Sequence, residues 1–217
     1  MGPPDPLRSD VARIALTVAR EHGFALGGGL ALVLHGVVDR PTEDVDLVTD
    51  LDGGVAAAAR LVEVALRAAG IQVTPIADDG EIVAVIDGMR RYLAEWELCR
   101  DGQLIRLSLS CQGRLHAPVT LDVGPVIGLD DLLAWKVAAL IGRARERDYV
   151  DVAAVLDRYT PTALLDLARR VDPGLEPDDV PAVGRRLDHL PDAAFTAYRL
   201  TPADVAELRR RFAAWPR

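Results

Sequence analysis

The sequence predicts an α/β fold: a sheet with flanking helices, followed by a C-terminal helical region. Three observations carry this. Helical and strand periodicities alternate through residue 128. From residue 129 onward only helical periodicity recurs, with no repeat and no low-complexity linker between the two regions. Half of the 217 residues are hydrophobic, enough for a sizeable core in one domain with a helical appendage. The natural division is therefore 1–128 and 129–217.

The elements follow in order. Val11, Ile14, Ala15 and Val18 recur at helical spacing, with Ser9 or Asp10 as a cap and Gly23 as a stop. Phe24 to Leu26 is a short apolar strand, broken by Gly27, Gly28 and Gly29. "LALVLHG" is a short helix ended by Gly36, and "VVDRPTE" is a loop punctuated by Pro41. "DVDLVTD" alternates, with Val45 and Leu47 inward and Asp44 and Asp46 outward. "VAAAARLVEVALRAAG" is a helix ending at Gly70. "IQVTPIA" is strand-like, while "IVAVIDGMRRYLA" fits either a strand and turn or a helix. "EWELC", "LIRLSLS" and "VTLDV" alternate as strands. "GLDDLLAWKVAALIGRA" and "DYVDVAAVLDRY" are helices, and about three more follow, the last opening at Thr201-Pro202.

Bulk properties exclude several classes. No apolar stretch is long enough to span a membrane, and "MGPPDPLRSD" lacks the regions of a signal peptide, so the expectation is cytoplasmic. Cys99 and Cys111 have no metal-type spacing and do not suggest a disulfide framework. A net charge of −8 argues against a protein that coats nucleic acid, though a local basic groove stays open. Lys136 is the only lysine, and asparagine is absent. A GC-rich genome explains the bias but leaves one retained lysine to account for.

The carboxylates suggest chemistry. Residues two apart on a strand share a face, roughly 6.5–7 Å apart along the chain. Asp44 and Asp46 therefore repel unless water or a cation screens them. As an isolated D-x-D this would be a wet edge strand. Asp122, in "VTLDVG", is a third outward acid between apolar neighbours. Three acids on neighbouring strands make a hard-oxygen site suited to Mg²⁺ or Mn²⁺. The glycines let backbone N–H groups approach a phosphate closely.

Two glycines, a short helix and then T-x-D-V-D resemble the signature of the nucleotidyltransferase superfamily. "RPTEDVDLV" resembles more narrowly the R-x-(S/T)-x-D-(I/V)-D element of the AbiEii/AbiGii-type toxin family, which includes the mycobacterial MenT toxins. "DLLAWKVAALIGRARERDYVDVAAVL" resembles that family's lysine helix and its R-D-x-x-D-h element. The resemblance covers roughly residues 24–160 and leaves the tail, 161–217, unassigned. It implies a nucleotidyltransferase-fold mixed sheet in 1–128 as the catalytic core, with the region 129–217 contributing Lys136 and Asp148 to the site. It further implies that Asp44, Asp46 and Asp122 hold the metal, that Gly28 and Gly29 line the triphosphate, and that Lys136 grips a phosphate oxygen. Thr42 matches the Ser/Thr beside the metal, and either binds phosphate or caps the turn.

Plainer roles compete at each position. Lys136 as a surface residue would snorkel beside Trp135. Asp148 and Asp151 resemble a helix-start capping pattern, with Arg147 spaced to pair with Asp151. Asp148 is taken as functional and Asp151 as structural. Arg143, Arg145 and Arg147 suit a phosphate patch or a solvated helix face equally. His35 and His116 have no evident ligand partners.

The function implied is transfer of an NMP from an NTP to an acceptor hydroxyl. In the toxin version the acceptor is the 3′ end of a tRNA and a cognate antitoxin is the partner. Two alternatives remain: an aminoglycoside- or lincosamide-type antibiotic nucleotidyltransferase, and a non-catalytic nucleotide- or partner-binding member.

Overall fold

Asp5 caps the first helix, its side chain accepting from the Arg8 amide at 3.1 Å, and Pro6 takes the first helical position. Helix α1 (Pro6–Ala19) thus begins ahead of Ser9 and Asp10, the caps expected from sequence. It buries Val11, Ala12, Ala15, Leu16 and Ala19. The computed structural model describes residues 5–76 and 92–217. Of the ambiguous "IVAVIDGMRRYLA" segment, residues 82–91 lie outside the described residues, and its last two residues open a strand.

By contact the chain falls into two units. One comprises Met1–Leu34 and Thr42–Gly128, the other His35–Pro41 and Leu129–Arg217. Residues 35–41, on the sheet side of a division at 128, pack with the helical unit.

The first unit is built on strands β1 (Ala25–Leu26) and β2 (Asp44–Thr49), separated by helix α2 (Gly28–Leu34). Helix α3 (Gly54–Ala68) follows, then β3 (Gln72–Pro75), β4 (Leu93–Arg100), β5 (Gln103–Cys111), β6 (Val119–Leu121) and β7 (Gly124–Val126). The strands form one mixed sheet ordered β3-β4-β5-β2-β1-β7-β6, so β2 is its middle strand. It runs parallel to β5 and antiparallel to β1.

Alternation decides the faces. Val45, Leu47 and Thr49 are fully buried on one face of β2, with Leu107 and Leu109 of β5 beside them. Helix α3 begins against Thr49, and α1 and α3 pack together. The other face carries Asp44 beside Arg106, with Glu97 beyond it on β4, and Asp46 beside Ser108, with Glu95 beyond it. Half of the sheet surface is thus polar where the other half is core.

The second unit contains α4 (Leu129–Arg143), α5 (Glu146–Ala153), α6 (Pro161–Val171), α7 (Asp179–His189) and α8 (Pro202–Arg211). Thr201 and Asp204 form a reciprocal capping box at α8, the start that Thr201-Pro202 predicts. Tyr149 is fully buried, donates its hydroxyl to the Val183 carbonyl and meets Phe212 edge-on at 5.6 Å. Among the described residues, no helix is long and apolar enough to cross a membrane.

The elbow between α4 and α5 is Ala144, at φ 46° and buried. A left-handed alanine costs about 1–2 kcal/mol that glycine avoids, partly offset by glycine's greater unfolded freedom. Ala144→Gly is expected to raise stability by about 0.5–1 kcal/mol, measured by urea denaturation.

Candidate active site

The glycine turn and the D-x-D strand meet directly. The Gly27 amide donates to the Asp46 carbonyl at 2.7 Å. Gly28, at φ 63°, opens α2 so close to Asp46 that an added Cβ would stand 1.8 Å from Oδ2. Only glycine fits, for space and for backbone angle. Gly29 follows in the same turn. The Ser108 hydroxyl donates to Asp46 Oδ1 at 2.9 Å, fixing the carboxylate from the β5 side. Thr42 stands two residues ahead of Asp44, where the chain re-enters the sheet unit.

An open cleft of about 410 Å³ borders Asp44, with Arg8, Glu43, Ile76 and Arg106 among its lining. That volume is in the range of small-molecule sites. Arg8 is anchored there by its bond to Asp5 at 2.6 Å and by the Glu43 carbonyl at 3.3 Å.

Asp122 does not join the pair. Sequence alternation reads "VTLDV" as one strand, but Leu121 pairs with Gly124, so Asp122 and Val123 form the turn of a hairpin. The register also places it at the wrong end of the sheet. Leu26 pairs with Leu47 on one side and Val126 on the other. Stepping back from Val126 to Asp122 runs away from Asp44 and Asp46, by about 15–20 Å along the strands. Among the described residues no group of three His, Cys, Asp or Glu side chains is placed to hold a metal. Among the described residues, the carboxylates of the expected metal site that share a strand face are Asp44 and Asp46. That still fits Mg²⁺, which takes one or two carboxylates and completes its shell with substrate phosphates and water.

The second unit places its charges differently from the sequence reading. Asp148 is fully buried, and Arg143 forks both of its oxygens at 2.9 Å. Asp151, taken as structural, is the acid that meets Lys136: Nζ lies 2.8 Å from Oδ2. Arg40 also forks Asp151, with Nε 2.6 Å from Oδ1 and NH2 2.8 Å from Oδ2. The partners of Asp151 are thus Lys136 and Arg40, in place of the Arg147 pairing that helical spacing suggests. Burial pushes the Asp151 carboxyl up, but the two cations outweigh it and hold it below the usual carboxylate range. Arg40 is likewise desolvated, yet its bonds to Asp151 raise it above its ordinary value. The Lys136 side chain is 12% exposed, so it is no surface lysine.

Sequence reasoning missed Arg40 and Ser108. Arg40 is the arginine of "RPTEDVD", so its place in a quoted motif was the available signal. Ser108 shares the outward phase of "LIRLSLS" with Arg106, but its partner is set by strand register.

A family model, described as nucleotidyl transferase AbiEii toxin, type IV TA system, matches residues 11–204. The chain belongs to the AbiEii nucleotidyltransferase toxin family. It is accordingly a nucleotidyltransferase, which removes the non-catalytic alternative. No curated protein matches the AbiEii chain significantly. Several solved structures share its fold, three of them as follows. The nucleotidyltransferase toxin MenT4 from Mycobacterium tuberculosis H37Rv aligns at TM-score 0.60 and 18% identity, over 95% of this chain and 82% of that one. JHP933 from Helicobacter pylori aligns at TM-score 0.59 and 16% identity, over 94% and 88%. A putative nucleotidyltransferase from H. pylori aligns at TM-score 0.61 and 13% identity, over 97% and 94%. The nucleotidyltransferase-fold mixed sheet expected of an AbiEii protein is the sheet observed.

Proposed function

We propose that this AbiEii protein transfers an NMP from an NTP to the 3′ hydroxyl of a tRNA, with Mg²⁺ or Mn²⁺ held by Asp44 and Asp46, and that a cognate antitoxin restrains it. The observation that carries the site assignment is the contact of Gly28 with Asp46. A turn made to fit one carboxylate, which Ser108 orients from the other side, is unlike a merely solvated strand face. Family membership supports the toxin role.

In this mechanism a divalent ion would neutralise triphosphate charge and lower the barrier to attack by the acceptor hydroxyl. The protein's own work is positioning. Asp44 and Asp46 supply oxygen donors on one face. The turn at Gly28 and Gly29 brings backbone N–H groups where a side chain would exclude phosphate. Thr42 is assigned to the phosphates as well. Lys136 supplies a compact positive charge to a phosphate oxygen as pyrophosphate leaves.

The deciding experiment is incubation of the purified protein with each labelled NTP, total tRNA and Mg²⁺. Label in tRNA that survives until the 3′ end is trimmed supports the proposal. Label on an aminoglycoside or lincosamide, with none on tRNA, replaces it with antibiotic modification.

Lys136→Arg is expected to lose at least about tenfold in turnover, roughly 1.4 kcal/mol of transition-state stabilisation. The guanidinium keeps the charge but changes its length and shape at a site where Asp151 sets a 2.8 Å contact. Steady-state kinetics of the variant check this, and wild-type turnover would remove Lys136 from the chemistry.

A further inference from the structure

Asp151 sits at a junction of three separate elements. It comes from α5, Lys136 from α4, and Arg40 from the 35–41 segment, all within the second unit. The carboxylate is completely buried, so its orientation depends on its partners. Arg40 grips it with two parallel bonds at 2.6 and 2.8 Å, a geometry that fixes a carboxylate in plane. Arg40 is itself held, by its NH1 bond to the Pro41 carbonyl at 2.9 Å and by the Tyr198 ring 6.0 Å away.

Neutralisation alone would be met by that fork. Lys136 is a second cation on the same carboxylate, and it bonds through one oxygen only. An ammonium has three donors, so one bond aims the group without consuming it. Lysine's flexible stem is thereby tied at its tip to a point that Arg40 holds still. A charge aimed in advance acts on a reacting phosphate without reorganising at the moment of transfer.

We propose that Asp151 is the positioning residue for Lys136, with Arg40 as the brace that orients Asp151. This rests on the reading that Lys136 serves phosphate. It assigns the acid of the R-D-x-x-D element that acts through the lysine as Asp151, while Asp148 is committed to Arg143.

The test is a double-mutant cycle on single-turnover transfer, using the full chain, tRNA and excess NTP. Asp151→Asn keeps the shape of the side chain and removes its charge. It should cost at least about tenfold in the wild-type background and less than about twofold in the Lys136→Ala background. A purely structural role would cost the same factor in both backgrounds, which would overturn the positioning role while leaving Lys136 in place. Unchanged transfer by Lys136→Ala would remove both. Should Asp151→Asn not fold, Arg40→Gln enters the same cycle. It should show the same dependence on Lys136, and equal losses in both backgrounds would overturn the proposal.

Discussion

Asp46→Asn is expected to lose at least about a hundredfold in transfer, roughly 2.7 kcal/mol, with an unchanged circular dichroism spectrum. Asparagine keeps the side chain's length and its oxygen can still accept from Ser108, so the local fold has little reason to change. What disappears is the negative charge and one hard-oxygen donor. Asp44→Ala and Asp46→Ala should abolish transfer as well. The two acids share the half-buried polar face of the middle strand, where their repulsion disfavours the folded chain. Melting temperatures of the variants should therefore match or exceed that of the wild type, as at other sites that trade stability for activity. Retained transfer at ordinary Mg²⁺ concentration would end the assignment of these aspartates as metal ligands.

Gly28→Ala should be equally damaging for a different reason. Its Cβ would overlap Asp46 Oδ2, so either α2 moves or the carboxylate turns away from its Ser108 partner. Either shift displaces the donor pair, and a loss of at least about a hundredfold in turnover is expected. A lower melting temperature should accompany it, because φ 63° also strains alanine. Gly53→Ala separates the two effects. Gly53 has φ 77° and nothing within 4 Å of an added Cβ. That variant should lose stability by about 1 kcal/mol and keep its turnover. Equal loss of activity in both variants would show that backbone strain, and not the contact with Asp46, is what the active site cannot tolerate.

What could be read from the sequence was local. The alternation of "DVDLVTD" placed Asp44 and Asp46 together because period 2 needs no knowledge of neighbours. The glycines were recognisable as a turn, but their contact with Asp46 depends on the antiparallel pairing of β1 and β2. Asp122 shows the limit. Five alternating residues read as a strand until pairing turns the last two of them into a hairpin bend, and the parallel β1–β7 register then carries that bend to the far end of the sheet. The partners of Asp151 were hidden for the same cause. Helical spacing offered Arg147 to Asp151, whereas the observed partners come from another helix and from a loop 111 residues away. Asp148 and Asp151 have the same chemistry and spacing rules, and only packing separates them.

The length of that last separation has a consequence for synthesis. Arg40 emerges from the ribosome well before the carboxylate it braces, and at about 5–20 residues per second the interval is roughly 6–20 s. During that time Arg40 lacks the carboxylate that it forks in the folded chain. Lys136 waits for the same acceptor over a much shorter stretch. A nascent chain can therefore complete the D-x-D strand, whose partner β5 ends at Cys111, while the lysine remains untethered. If the tether matters for transfer, the newborn toxin stays catalytically poor until α5 has cleared the exit tunnel, a delay encoded by chain connectivity alone.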